Sequence, residues 1–185
     1  MVNSRQSLIE AITAYQSSFA EEISFRKPFL ELLNHPRCYH RDHLPGHITG
    51  SAWIIDESGQ FILLTHHAKL NRWLQPGGHA DGDEDVFAVA LREAEEETGL
   101  SNIAFPNRDI FDIDIHTIPA RKDFPEHLHF DVRFCFLATR NAALTVTSES
   151  KDLKWIALHE LPVYTEANSS ILRMCQKSLA TAHQQ

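Results

Sequence analysis

The stretch Gly77–Leu100, GGHADGDEDVFAVALREAEEETGL, decides how this chain is read: a glycine turn, an acidic segment, and then a helix. From Asp85 to Thr98 the residues Phe87, Ala90, Leu91, Ala94 and Thr98 recur at helical spacing and define one inward side. Glu93, Glu96 and Glu97 stand at i, i+3 and i+4, so their carboxylates leave a different face within one turn. Like charges that close destabilise an isolated helix by roughly a few tenths of a kcal/mol per pair. The cluster therefore needs a cation or full solvation, and a hard divalent ion with oxygen ligands is the natural compensation. Arg92, on the flank, can hold a carboxylate through a forked, charge-assisted hydrogen bond. Asp83, Glu84 and Asp85 favour the helix start electrostatically, and Gly99 suits its C-terminal cap.

Two other readings apply to the same residues. A run such as EAEEE is most often a solvated acidic helix face. A calcium loop is suggested by the alternation of Asp81, Asp83 and Asp85, but it requires glycine at its sixth position and glutamate at its twelfth. Val86 and Arg92 stand there, so that reading fails.

Taken together, Gly78, Glu84, Arg92, Glu93, Glu96, Glu97 and Gly99 resemble the Nudix box, G-x5-E-x7-R-E-U-x-E-E-x-G-U, where U is a bulky aliphatic residue. All fixed positions match; Ala94 is smaller than the usual aliphatic and Leu100 fits. Chance would produce such a match on the order of once in 10⁸ starting points. Trp73–Gly78 is similar to the W-x-x-P-G-G lead into the box, with Gln75 as a polar departure, and Trp155–Leu161 resembles the family's W-x-x-L-x-E-L strand-to-helix ending.

The 185 residues suit one domain with an appendage, and 43% hydrophobic content is enough for an ordinary core. A net charge of -8 disfavours long nucleic acid as a partner, because such binding rests on neutralising phosphates, whereas a small phosphorylated nucleotide remains compatible. Cys38, Cys135 and Cys175 are too far apart for a CxxC pair and read as reduced thiols. No signal peptide and no run of 18 apolar residues is evident, so a cytoplasmic protein without membrane association is expected.

Residues 1–44 read as an N-terminal helical extension and His-rich loop, and 45–185 as the main domain. Ser7 and Glu10 have capping-box spacing, and Leu8, Ile12, Tyr15 and Phe19 share a face. This extension is expected to pack on the domain or on a second subunit in a homodimer. The segment His35–His47 carries four histidines and Cys38, which invites zinc, but without close Cys-x2-Cys spacing it reads as a surface or lid loop. Ile48–Ile55, Phe61–Thr65, Ile110–Ile118 and His127–Ala138 read as strands. In the last of these, His127, His129, Asp131 and Arg133 share one face. Two alternatives stay open for that face: an exposed sheet surface, or a cleft in which His129 and Asp131 contact substrate or a further metal. Arg121 and Lys122, in the loop Pro119–Glu126, could meet a phosphate or keep the loop soluble.

The resemblance implies an α/β fold, a Nudix-type α/β/α sandwich with a mixed sheet, here with the N-terminal helical extension. It implies metal-assisted hydrolysis of a diphosphate linkage in a nucleoside diphosphate derivative. Glu93, Glu96 and Glu97, with the carbonyl of Gly78, would bind Mg2+ or Mn2+. Arg92 would orient a ligand, and Glu84 would support the site through water or through Arg92. Glu93 or Glu96 would be the general base, with Glu149 as the outside candidate. The family's ADP-ribose proline is missing where His116 stands, the dinucleoside polyphosphate tyrosine is absent at 116–118, and His67 replaces the arginine of the coenzyme A pattern. Nucleotide sugars and nucleoside triphosphates stay open. A non-hydrolytic nucleotide-binding or regulatory domain is the alternative, although such domains usually have broken boxes. An isoprenoid diphosphate isomerase would need cysteine and glutamate motifs that Cys38, Cys135 and Cys175 do not provide.

Overall fold

A computed structural model describes residues 2–122 and 124–182. Asp123, inside the loop expected at Pro119–Glu126, and residues 183–185, at the end of the expected domain, lie outside the described residues, as does Met1. The chain forms α1 (Arg5–Ala14), α2 (Ala20–Leu33), β1 (Gly46–Ile55), β2 (Phe61–His67), β3 (Arg72–Leu74), β4 (Gly77–His79) and α3 (Val86–Thr98). β5 (Asp112–Ile118), β6 (His127–Leu137) and β7 (Ser150–Ala157) follow, and a single helical turn leads into α4 (Leu161–Tyr164) and α5 (Ser169–Ala182).

The strands run in the order β3-β2-β1-β6-β5, with β4 also pairing β1 and β7 also pairing β2. β1 is antiparallel to β2 and β4, and β5 is antiparallel to β6. β1 and β6 run parallel: Leu128 N donates to Pro45 O and, ten residues further along both strands, Ala138 N donates to Ile55 O. The sheet is therefore mixed, and the class is α/β as expected. No helix among the described residues is long and apolar enough to cross a membrane.

The contacts divide the chain into two compact units: residues 1–51, 77–90 and 107–134, and residues 52–76, 91–106 and 135–185. In the first, α1 begins one turn earlier than expected. Ser4, not Ser7, is the N-cap: its hydroxyl accepts from Ser7 N, and the Ser7 hydroxyl accepts from Ser4 N, so Ser7 is the third helical residue of the box. Leu8 and Ile12 are buried, and α1 ends at the Tyr15 cap, so Phe19 caps a second helix instead of continuing the first. Both helices pack within the first unit. Tyr15 donates to buried Glu22 at 2.6 Å, Ile113 N of β5 donates to the same carboxylate at 3.2 Å, and Phe29 meets Phe130 edge-on at 5.2 Å.

In the second unit β2 is a central strand, flanked by β1, β3 and β7, which explains its unbroken apolar run; Ile62, Leu63 and Leu64 are fully buried. The hairpin between β1 and β2 is organised by Asp56. Its carboxylate accepts from Gln60 N and Phe61 N at 3.0 Å and from the Ser58 hydroxyl at 2.7 Å, and it pairs with Arg140 at 3.2 Å. Gly77, in the first unit, is fixed by sterics: a Cβ there would lie 2.2 Å from Ser51 Oγ, so only glycine permits β4 to lie against β1.

Strand limits shift slightly from expectation: β1 starts two residues earlier and β5 two later. β3 and β4 are three residues each, too short for any period to show.

Burial alone would raise the Asp56 pKa, but the hydrogen bonds from Ser58, Phe61 and Gln60 outweigh it and hold the carboxyl below its ordinary 3.8. The folded value is depressed, so the stabilisation is present above the unfolded pKa and is lost as pH falls through the folded one. Asp56→Asn is expected to lower stability by about 1–2 kcal/mol at neutral pH. The difference from the parent protein should shrink as the pH is taken below the ordinary aspartate value and through the depressed one, as read by urea unfolding at neutral and at acidic pH.

Candidate functional site

Helix α3 starts where the sequence places its acidic lead. Asp85 caps it, accepting from Ala88 N at 3.0 Å, and Arg108 holds the same carboxylate at 2.7 Å. It ends at Gly99, whose φ of 74° is the left-handed conformation and whose N–H donates to Glu95 O at 2.9 Å. Phe87, Ala90, Ala94 and Thr98 are buried as expected; Leu91 is only half-buried.

The three glutamates differ in environment. The Glu97 residue is 8% exposed, while the Glu93 side chain is 16% exposed and that of Glu96 63%. Arg92 Nη2 sits 2.9 Å from Glu93 Oε1, and Arg92 Nε 3.9 Å from Glu96 Oε1. Burial pushes the Glu93 carboxyl above its ordinary 4.5, Arg92 opposes this, and the negative charges of Glu96 and Glu149 push the same way as burial. Glu149, exposed just before β7, thus acts electrically on Glu93 from a distant part of the sequence. Glu95 is exposed, away from this cluster. The same unit holds a cleft lined by His66, Arg72, Trp73 and Tyr164, in which His66 stacks on Trp73 at 4.9 Å and Tyr164 stands edge-on to Trp73 at 5.9 Å. Sequence reasoning took Trp73 only as part of the lead into the box; its pairing with Tyr164 had no local signal.

In the other unit, Gly78 lies in β4 opposite Gly50 of β1. Glu84 is gripped by Arg5, whose backbone N donates at 3.0 Å and whose guanidinium lies 2.9 Å away. Arg121 and Lys122 are exposed in their loop. The polar face of β6 is not an exposed sheet surface. Asp131 and Arg133 are each 2% exposed, so that alternative is overturned. On the same face, alternate residues of the adjacent strands stand beside it: His47, Thr49 and Ser51 of β1, and Asp112, Asp114 and His116 of β5. Asp131 accepts from Thr49 at 2.9 Å, from Ser51 at 2.8 Å and from Arg133 Nε at 2.8 Å, so its oxygens are committed to structure. Arg133 also meets Asp112 at 3.1 Å and Asp114 at 3.2 Å. Burial works against its charge, but Asp114, Asp131 and Asp112 outweigh that and keep the guanidinium protonated.

Further along the same face His47, His127 and His129 converge, with ring centroids 5.0–5.2 Å apart. The His-rich segment His35–His47 is therefore divided: His35 and His43 lie against each other with tilted rings at 4.0 Å, while His47 sits beside β6.

The NUDIX domain family model matches residues 45–175, and the chain belongs to the NUDIX family. A Bacillus subtilis protein named for 8-oxo-dGTP diphosphatase activity is 30% identical over 119 residues, which are 64% of this chain and 72% of that one. The m7GpppN-mRNA hydrolase NUDT17 of Bos taurus is 41% identical over 56 residues, 28% of this chain; the chain spans only 18% of that relative's length. Among solved structures, the E. coli dihydroneopterin triphosphate pyrophosphohydrolase covers 72% of this chain and 95% of its own, with a TM-score of 0.56 and 14% identity, a likeness of fold.

Arg133→Met is expected to leave three buried carboxylates facing one another and to cost about 3–5 kcal/mol, measured as a shift of the chemical unfolding midpoint. A loss below about 1 kcal/mol would mean that the network is not the tie between β5 and β6 described here.

Proposed function

We propose that this protein hydrolyses a diphosphate linkage in a nucleoside diphosphate derivative, such as a nucleotide sugar or a nucleoside triphosphate, using Mg2+ or Mn2+. The observation that carries this reading is the acidic face of α3: Glu93 and Glu96 both lie against one cation, Arg92, and the charge of Glu149 adds to theirs at Glu93, leaving negative charge in excess. Such an all-oxygen donor set fits a hard divalent ion. The box positions Glu93, Glu96 and Glu97, with the Gly78 carbonyl carried over from the motif, would hold it. When bound, the ion supplies Lewis acidity toward phosphoryl oxygens and makes water more acidic.

The chain's own residues do the rest. Arg92, 2.9 Å from Glu93, fixes that carboxylate's orientation, so Glu93 is a base held in one direction. Glu96 is the second choice, and Glu149, whose charge reaches Glu93, the third. Glu84 stays anchored through Arg5 and supports the lead into the helix. The name of the Bacillus subtilis relative favours a nucleoside triphosphate among the open substrates. Arg121, Lys122 and His129 remain candidates for contact with the substrate, whereas Asp131, also a candidate from the sequence, has its oxygens engaged by Thr49, Ser51 and Arg133.

A phosphate-release assay over nucleotide sugars, nucleoside triphosphates, ADP-ribose, coenzyme A and dinucleoside polyphosphates, with and without Mg2+ or Mn2+, tests the reading. Metal-dependent turnover of one class is expected; tight nucleotide binding without turnover would favour a non-hydrolytic domain. Glu97→Gln is expected to reduce turnover at least tenfold, about 1.4 kcal/mol in the barrier, while Glu95→Gln leaves it nearly unchanged. Equal losses in both variants would place the ligands on the wrong face.

A further inference from the structure

We infer that His47, His127 and His129 form a second metal site, one that takes a zinc-class transition ion instead of Mg2+ or Mn2+. Among the described residues, these three alone bring three histidine, cysteine or carboxylate ligand atoms within 4.8 Å of one another.

Backbone contacts leave ring nitrogens of the cluster with lone pairs to offer. His127 Nδ1 lies 2.9 Å from Pro125 O, and His47 Nδ1 lies 3.4 Å from His43 O. A ring nitrogen beside a carbonyl must donate, so each Nδ1 carries the proton and each Nε2 is left as a ligand atom. This orienting contact is the one that metal-bound histidines commonly make. His47 is 1% exposed, and both its Nε2 and that of His129 are buried without a hydrogen-bond partner. A buried polar atom left unpaired costs roughly 1–3 kcal/mol, and one ion would satisfy both nitrogens.

The donor type selects the ion. Imidazole nitrogen suits zinc, copper, nickel and cobalt, whereas magnesium and calcium prefer oxygen. Zinc–nitrogen bonds of about 2.1 Å place tetrahedral ligands about 3.4 Å apart, so binding would draw the rings together by roughly 1.4 Å at most. Three protein ligands leave the fourth position for water or an anionic ligand. β1 and β6 carry the three rings on paired strands, so the ligands are set by sheet register and not by a loop.

The test uses the full-length protein stripped with chelator and titrated with Co2+, whose visible spectrum reports a four-coordinate nitrogen site, and with Zn2+, counted by elemental analysis after gel filtration. One equivalent is expected, retained in Glu97→Gln and weakened at least about 100-fold in His129→Gln and His127→Gln. Absence of a cobalt band in the parent protein, an unchanged band in folded His129→Gln, or loss of the band in Glu97→Gln would overturn the assignment. X-ray absorption of the zinc-loaded parent protein needs no variant: a shell containing three imidazoles is expected, and an oxygen-only shell would overturn it.

Discussion

The constraint on which the first unit depends is the burial of Arg133. A guanidinium removed from water must be paired on every side, and here Asp112, Asp114 and Asp131 surround it while Thr49 and Ser51 donate to Asp131. These groups come from β1, β5 and β6, so the pairing works only in one register. A slip of β6 by a single residue would turn Arg133 and Asp131 to the opposite face and leave the other carboxylates buried without a cation. The same register sets His127 and His129 beside His47, because all of them lie at even spacings along the same strands. The stabilising network and the histidine cluster are thus two ends of one polar face.

Helix α3 handles its charge differently. Its acidic side chains are graded by exposure, from Glu97, which is buried, to Glu96, which is open to water. Arg92 compensates part of the repulsion by lying against Glu93, and the remaining excess is what a hard cation would relieve. Asp85 and Gly99 hold the two ends, so the spacing of the glutamates is protected from fraying.

The helix and its C-terminal cap were legible in the sequence, because a 3.6-residue period and a fixed motif are local signals; Asp85 was legible only as one of three acidic residues at the helix start. The alternation in β6 was also legible, and it correctly grouped His127, His129, Asp131 and Arg133. Alternation says which residues share a face, however, and not what covers it; burial of that face depends on β1 and β5, which pair with β6 from far along the chain. For the same reason His47 read as one histidine of a polar loop. Its grouping with β6 follows from the parallel pairing of β1 with β6, a non-local fact. The helix start at Ser4 was missed because two serines spaced three apart carry less signal than a serine and a glutamate.

The tight seat of Gly77 against Ser51 affects how substitutions in this region would be interpreted. Any side chain introduced there must push β1 and β4 apart, so an inactive variant would report excluded volume and say nothing of the chemistry at the neighbouring carbonyl. A backbone oxygen is also invisible to side-chain replacement. The metal-ligand role proposed for the Gly78 carbonyl is therefore accessible only to methods that alter the main chain itself, such as replacement of an amide by an ester, and a conventional scan would credit any effect to packing.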